Sequence, residues 1–359
     1  MPTHFSSSIL EPRIFKDSSL YLFLIRFPGA KRMRIQVGTV KEIWRYPVKS
    51  MEGEILQEAQ IEKLGMVGDR GWAVRDEVVN EISTVRKLPR LLNCTARFEE
   101  QPLRGQTGID VPHVQVKLPD GTSFNTRDDQ GNKILSGYLK REVSLQPLQP
   151  KSNADFYRLS TLTGEKAMKK QFDARGGMPS LGSISWLRML ELGSYATPRG
   201  RFYDVYPLHI VTSNSIRMLK SLEPQGDFQS KRFRPNIYIE CAQESDSLDE
   251  FRWVGGKLHI GDTVIKCESR TVRCSMPAQP QPGLVKDSKV LRTLEKYTKR
   301  HLGINATVIR SGTIHDGDSV YWEPESRLSL RRFYQPVSDR IKNLLVQRSL
   351  KLIDKKAKR

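Results

Sequence analysis

The stretch ATVIRSGTIHDGDSVYW, residues 306–322, reads as extended segments rich in Val, Ile and aromatic residues, broken by the Gly-containing turns SG and DGD. The same pattern runs outward from it. FRPNIYIE (233–240) and KLHIGDTVIKC (257–267) are again strand sequences, the second with a Gly-Asp turn. Towards the N-terminus, RIQVGTVKEIWRYPVKS (34–50) is rich in β-branched and aromatic residues and breaks at Pro47. EILQEAQIEKLG (54–65) suits another strand, GMVGDRGWAVRD (65–76) turns into a third, and VQVKL (114–118), bounded by PDG, adds one more. Strands in series with few helices argue against a doubly wound parallel sheet. They predict an α+β chain that is mostly β, a barrel or sandwich with helices added.

Helical periodicity is confined to a few places. SNSIRMLKSLE (213–223) sets Ile216, Leu219 and Leu222 on one face, with Ser213 or Asn214 as cap. Residues 287–301 carry Val290, Leu291, Leu294 and Tyr297 at helical spacing. Residues 336–356 predict a long amphipathic helix starting at Pro336, with Val337, Ile341, Leu344, Leu345 and Leu352 on one side. It is expected to stand independent of the body, with a helix packed back on the barrel as the competing reading. The expected organisation is a disordered leader over 1–32 (or an extension before a start at Met33), a β-rich domain over 33–150 and a polar linker over 151–200. That linker, punctuated by RGGMPSLGS (175–183), holds one or two short helices. A second β-rich domain follows over 201–322, with an alternative start near residue 180, then a basic tail over 323–359.

At 38% hydrophobic and 28% charged, the 359 residues suit a globular chain with a sizeable core. The net charge of +19 is uneven: residues 323–359 hold eleven Lys/Arg against four Asp/Glu, and residues 1–34 six against two. The central body is only moderately basic, so no specific nucleic acid is expected; attraction to acidic partners is. SLYLFLIRF (19–27) is too short to span a bilayer and is interrupted by Arg26, and the acidic Glu11 and Asp17 before it do not suit a signal or transit peptide. A cytoplasmic protein fits these features, with peripheral membrane association as a further option. Cys94, Cys241, Cys267 and Cys274 lack zinc-type pairing and fit free thiols in a reducing compartment.

Phosphate-loop, nucleophile-elbow, zinc-protease and iron–sulfur motifs are absent, and the six histidines form no metal-spaced cluster. The chemistry must come from dispersed residues. YPVKS (46–50) offers Lys49 and Ser50 after a proline bend, and GDRGW (68–72) offers Asp69 and Arg70 at a turn. RFRPN (232–236) presents Arg234 and Asn236 around Pro235, which biases Arg234 to extended backbone. SRTVRCSMPAQPQPGL (269–284) sets Arg273 and Cys274 in a proline-stiffened loop that cannot be an α-helix. Each alone has an ordinary reading as a solvated lysine, a surface ion pair or a buried filler thiol. Together, cations beside Pro and Gly and next to one cysteine describe a site for a large anionic ligand with a soft metal or reactive sulfur at one end.

VGTVKEIWRYPVKSM (37–51), GMVGDRGWAV (65–74) with STVRKLPRLL (83–92), RFRPNIYIE (232–240), LHIGD (258–262), RCSMPAQPQPGL (273–284) and SGTIHDGDSVY (311–321) follow one another as in the MOSC family, named for the C-terminal domain of molybdenum cofactor sulfurases. The chain resembles that family over about residues 34–322. The resemblance implies a β-strand-rich N-terminal companion domain before a MOSC-type β-barrel, and a bound molybdenum cofactor (molybdopterin). In the reductase branch, which includes the mitochondrial amidoxime-reducing component, a cysteine is the protein ligand to molybdenum, a catalytic role that carries over to Cys274. Lys49, Ser50, Arg70, Arg234 and Asn236 fall at positions that hold pterin and phosphate, with Arg273 beside the ligand. Asp204 in FYDVYP (202–207) falls at another contact of the catalytic site. Val205, Tyr206, Val272 and Asn305 depart from the family pattern around the substrate pocket. Pyridoxal phosphate belongs to sulfurase domains fused to some members and is not expected here.

The implied activity is reduction of N-hydroxylated compounds. With no iron–sulfur or flavin motif, electrons would come from a separate ferredoxin-, flavin- or cytochrome-type donor. The alternatives are a sulfur carrier using a Cys274 persulfide, and a non-enzymatic basic protein that binds membrane or nucleic acid through its tail. The tail itself suits an anionic membrane surface or a partner groove.

Overall fold

The computed structural model describes residues 33–105, 110–160, 180–181, 184–325 and 330–356, with Glu165 and Lys169. The expected leader over 1–32 and most of RGGMPSLGS lie outside them. The first half of the described chain forms β1 (Ile35–Arg45), β2 (Glu54–Leu56), β3 (Glu58–Glu62), β4 (Gly65–Met66), β5 (Trp72–Asp76), β6 (Glu81–Ile82), β7 (Thr95–Phe98), β8 (Val114–Lys117), β9 (Ser123–Asn125) and β10 (Val143–Pro147). The second forms β11 (Leu208–Thr212), β12 (Ile237–Cys241), β13 (Lys257–Ile260), β14 (Thr263–Val272), β15 (His301–Arg310), β16 (Gly312–His315) and β17 (Ser319–Glu323). Helices are α1 (Gly131–Leu139), α2 (Ala154–Tyr157), α3 (Trp186–Ser194), α4 (Ser213–Leu222), α5 (Ser288–Thr298) and α6 (Leu330–Lys356).

One sheet closes on itself. Its order is β12-β11-β15-β14-β13-β17-β1, and β1 pairs again with β12, making a seven-stranded barrel. The barrel is not contiguous in sequence: its closing strand is β1, and Ile43 of β1 sits opposite Ile237 of β12. Val40, Ile43, Ile210, Ile237, Ile239, Leu258, Ile260, Ile265, Ile304 and Val320 fill the interior; Ile237/Ile239 and Leu258/Ile260 follow the two-residue strand period, while an irregularity of β1 between Val40 and Glu42 brings both Val40 and Ile43 inside. β14 carries irregularities against β15 at 264/265, 267/269 and 270/272, which bend it enough for the sheet to curl shut.

Outside the barrel, α4 and α5 bury Ile216, Leu219, Val290 and Leu294 against Val211, Phe228, Phe233 and Leu302. β11 is therefore buried on both faces. The cap of α4 is Thr212, whose side chain accepts from Ser215 N, and not Ser213 or Asn214. Thr212 still has the extended backbone of β11, so the helix starts directly at the strand end. α5 stops at Thr298, short of 301, because Lys299 turns left-handed (φ 51°) and β15 begins at His301.

A second core gathers β5, β7 to β10 and α1 around Val48, Met51, Trp72, Val74, Phe98, Val116, Phe124, Leu135 and Leu145. Val48 and Met51 belong to it while the preceding strand belongs to the barrel, so Lys49 and Ser50 sit on the seam between the two cores. Within 151–200, Tyr157 of α2 is buried with Ala73, Ile82, Leu148 and Phe202, and its hydroxyl donates to Gln149 O at 2.6 Å.

α6 begins at Leu330, upstream of Pro336, so the proline does not start the helix; within it, Pro336 removes one backbone bond. The helix packs back on the body, which corrects the expectation of an independent tail. Asn343 Nδ2 donates to Ser180 Oγ (2.8 Å), Leu181 N donates to Asn343 Oδ1 (2.9 Å), and Leu350 is buried. Among the described residues, no helix is long and apolar enough to cross a membrane.

Candidate functional site

Tyr46, just past the end of β1, ties three of the predicted stretches together. Its N–H donates to Asp69 Oδ1 (3.0 Å), its carbonyl accepts from Arg70 N (2.6 Å), and its hydroxyl donates to Pro235 O (3.0 Å). Two guanidinium groups lie over its ring, Arg234 at 4.1 Å and Arg70 at 4.9 Å from the ring centre. Burial pushes the Tyr46 phenol up, against the pull of Arg234 and Arg70. Asp69 pairs with Arg70, whose guanidinium burial would lower and whose neighbours Asp69 and Tyr46 hold raised.

The backbone is unusual at the same places. Ser50 (φ 72°), Arg70 (φ 51°) and Arg234 (φ 50°) are three of the seven non-glycine residues with positive φ among those described. Such a conformation costs about 1 kcal/mol or more and persists where the surroundings impose it. For Arg234 this corrects the expectation of an extended residue before Pro235. Its N–H bonds to Lys231 O and closes the 3-10 turn Ser230–Phe233, which swings its side chain onto Tyr46. In GDRGW, Gly68 is required: at φ 78°, a Cβ there would lie 2.6 Å from a Pro102 carbon.

Lys49 is 4% exposed. Its Nζ donates to Phe202 O at 2.8 Å and pairs with the Asp204 carboxylate. Burial pushes the Lys49 ammonium down, and Asp204 counteracts it. Crowding by protein atoms would raise the Asp204 carboxyl, but Lys49 foremost, with Arg86 and Arg70, holds it well below the usual carboxylate range. The Asp204 side chain is nevertheless 73% accessible, so water screens this field and we assign it no stability.

Arg273 is buried, donating to Phe233 O (2.8 Å) and to His209 Nε2 (3.3 Å). Since the guanidinium can only donate, the His209 proton sits on Nδ1, which faces Arg234 O at 3.4 Å. Burial and then Arg273 push the His209 imidazole down to about 3, so it is neutral. Cys274 follows at the end of β14, half-buried, and all four cysteines are free thiols. Its loop contains only the short 3-10 turn Met276–Ala278. Arg232 holds the loop from behind. Fully buried, it donates to Pro277 O (3.2 Å) and Val285 O (2.9 Å) and pairs with Asp227 at 2.6 Å, while Lys231 Nζ reaches Pro282 O at 2.7 Å.

Among the described residues, neither Arg234 nor Arg273 has an ion-pair partner, and Arg234 Nη2 and Arg273 Nε are buried without a hydrogen bond. Burial pushes Arg234 down to about 10, Tyr46 opposing. Two buried cations left this way cost several kcal/mol by order of magnitude, which an anionic ligand would offset. No group of three His, Cys, Asp or Glu that could hold a metal exists among the described residues. A metal at Cys274 would have to draw its other ligands from a bound group.

Comparison with known proteins decides the family. The "MOSC domain" model matches residues 198–321 and the "MOSC N-terminal beta barrel domain" model residues 37–141. Mitochondrial amidoxime-reducing component 1 of Mus musculus is 36% identical over 332 residues, covering 82% of this chain and 85% of that protein. Component 1 of Homo sapiens is 27% identical over 314 residues (81% and 85%), and component 2 of Rattus norvegicus 26% over 329 residues (82% and 86%). The chain belongs to the MOSC family.

Of the predicted residues, this MOSC chain links Lys49 to Asp204, stacks Arg70 and Arg234 on one ring, and sets Arg273 beside Cys274. Asn236 is used within the fold: its Oδ1 accepts from His209 N (3.1 Å) and its Nδ2 donates to Trp44 O (3.2 Å). Ser50 Oγ likewise accepts from Val85 N at 3.1 Å. Sequence reasoning missed Tyr46, Arg86, His209 and Arg232. Three of them lie in the quoted stretches YPVKS, STVRKLPRLL and RFRPN, whereas His209 is an ordinary β11 residue with no local signal.

Proposed function

We propose that this chain binds a molybdenum cofactor and reduces N-hydroxylated compounds with electrons from a separate donor. The observation that carries the reading is the pair of buried guanidiniums without ion-pair partners, Arg234 and Arg273, each with an orphaned N–H group and Arg273 adjoining the free Cys274. That donor set fits an anionic pterin phosphate at one end and a thiolate-ligated metal at the other. When bound, the cofactor supplies two-electron transfer at a sulfur-ligated metal. The names of the mammalian relatives, amidoxime-reducing components, support the substrate class.

In this reading Lys49, Arg70 and Arg234 hold the anionic end, and Arg273, kept in place by His209 and Phe233 O, holds charge next to Cys274. Cys274 gives its thiolate to the metal, on a loop fixed by Arg232 and Lys231. Ser50 and Asn236 act by shaping the backbone around the cofactor, since both side chains are engaged by the chain itself. Asp204, ionised and open to solvent, accepts a hydrogen bond from the substrate's N–OH group. In the net reaction the N–O bond breaks and oxygen leaves as water, with two electrons from the donor and two protons from solvent. The basic body suits an acidic donor protein. A persulfide carrier would not need so many buried cations around its cysteine.

The test is molybdenum content of the purified protein by mass spectrometry, with reduction of a hydroxylamine or amidoxime by reduced methyl viologen as artificial donor. Stoichiometric molybdenum and activity lost in Cys274→Ala are expected. Protein from a molybdenum-replete host that carries none, or a Cys274→Ala variant with full activity, would overturn the proposal.

A further inference from the structure

The tail helix α6 turns its apolar residues outward. Its inward side is fixed by Asn343 and the buried Leu350. Val337, Ile341, Leu344, Leu345 and Leu352 occupy the opposite side at helical spacing and are 46–60% exposed. Interleaved with them, Arg340, Arg348, Lys351 and Lys355 are also exposed, whereas the helix's acids Asp339 and Asp354 lie at partly buried positions. Docking thus leaves an exposed apolar strip accompanied by cations and by no exposed acid.

An isolated exposed leucine is ordinary, but five large apolar side chains along one side of a single helix form a patch. A protein groove of mixed charge would meet the cations with no counterpart for their regularity. An exposed apolar strip with interleaved Lys/Arg and no exposed acid on the same helix matches the interface of a bilayer with negatively charged headgroups.

We infer that the outward face of α6 forms a docking surface for an anionic lipid membrane, on which the helix lies in the plane of the headgroups. Over its 27 residues α6 is roughly 40 Å long, and its exposed apolar residues run from Val337 to Leu352. This surface is independent of the proposed reaction, since none of its residues belongs to the Cys274 site.

Full-length protein is sedimented with vesicles of phosphatidylcholine plus phosphatidylserine, and with phosphatidylcholine alone. Binding to the first, at least about tenfold weaker to the second and weakened by salt, is expected. Leu344→Glu/Leu345→Glu, both on exposed positions and checked for unchanged circular dichroism, should reduce binding at least about tenfold, and Arg348→Glu/Lys351→Glu likewise. Failure of the wild type to bind anionic vesicles would overturn the inference, as would equal binding by the leucine variant, which would put attachment elsewhere in the chain. So would a dimer in light scattering that the leucine variant dissolves while vesicles are ignored, since the strip would then cover a second copy.

Discussion

Replacing Arg232 by methionine tests whether the Cys274 loop is held from behind. Arg232 is fully buried and donates to Pro277 O at 3.2 Å and Val285 O at 2.9 Å; its contact with Gln279 O, at 3.5 Å, adds little. Methionine fills much of the same space but leaves both carbonyls unpaired, at about 1–3 kcal/mol each. Asp227, a third exposed, can turn to water, so its ion pair counts for little. Removing a buried charge whose Nε already lacks a partner returns part of the loss. The expected net is about 3 kcal/mol. Lys231→Met, which removes the single bond to Pro282 O, should cost about 1 kcal/mol. Urea unfolding of both variants at neutral pH gives the comparison, and molybdenum content should fall further in Arg232→Met. If Arg232→Met loses no more stability than Lys231→Met, the buried arginine does not anchor the loop and the reasoning fails.

Cys267 lies at 0% exposure in the barrel core, so Cys267→Ala should cost about 1–2 kcal/mol in urea unfolding and leave hydroxylamine reduction intact; loss of activity would count against Cys274 as the functional thiol. Tyr46→Phe removes only the bond to Pro235 O and should cost about 1 kcal/mol with molybdenum retained, while Tyr46→Ala leaves Arg70 and Arg234 without their shared ring and should lose both stability and metal. Equal molybdenum in the two variants would refute a role for the ring. His209 is held at about 3 by burial and Arg273, against an ordinary 6.5, so the unfolded chain takes up a proton there that the folded chain does not. Its contribution is complete above pH 6.5 and is lost as pH falls towards 3, at up to about 1.4 kcal/mol per pH unit. His209→Gln keeps an acceptor for Arg273 and should flatten that acid slope in urea midpoints taken across the window; an unchanged slope would show the imidazole is not the group responsible.

Much of the candidate site was legible because its residues lie in short stretches with proline and glycine, where a cation is placed by the backbone. Lys49, Arg70, Arg234, Arg273 and Cys274 all stand out as candidates in that way. Tyr46 and Arg232 stood in the same stretches but looked like ordinary packing and surface charge. Nothing in one sequence says that one tyrosine ring will take two guanidinium groups, or that an arginine will turn inward to satisfy carbonyls in a proline-rich loop about forty-five residues away.

The sequence by itself determined the mostly β character of the chain, since alternating β-branched runs and Gly-Asp turns are local steric facts. It also determined α5 and the apolar stripe of α6, because helical spacing is visible in any short window. Tertiary structure alone decided that β1 closes the barrel, that Arg234 turns left-handed before Pro235, and that the stripe of α6 faces outward. Each of these depends on contacts between residues far apart in the chain. Pairing of β1 with β12 spans nearly two hundred residues, the backbone of Arg234 answers to Tyr46, and the direction of the stripe is set by Asn343 finding Ser180. Such contacts win over local preference because each buries apolar area or satisfies polar groups by more than the local penalty it incurs.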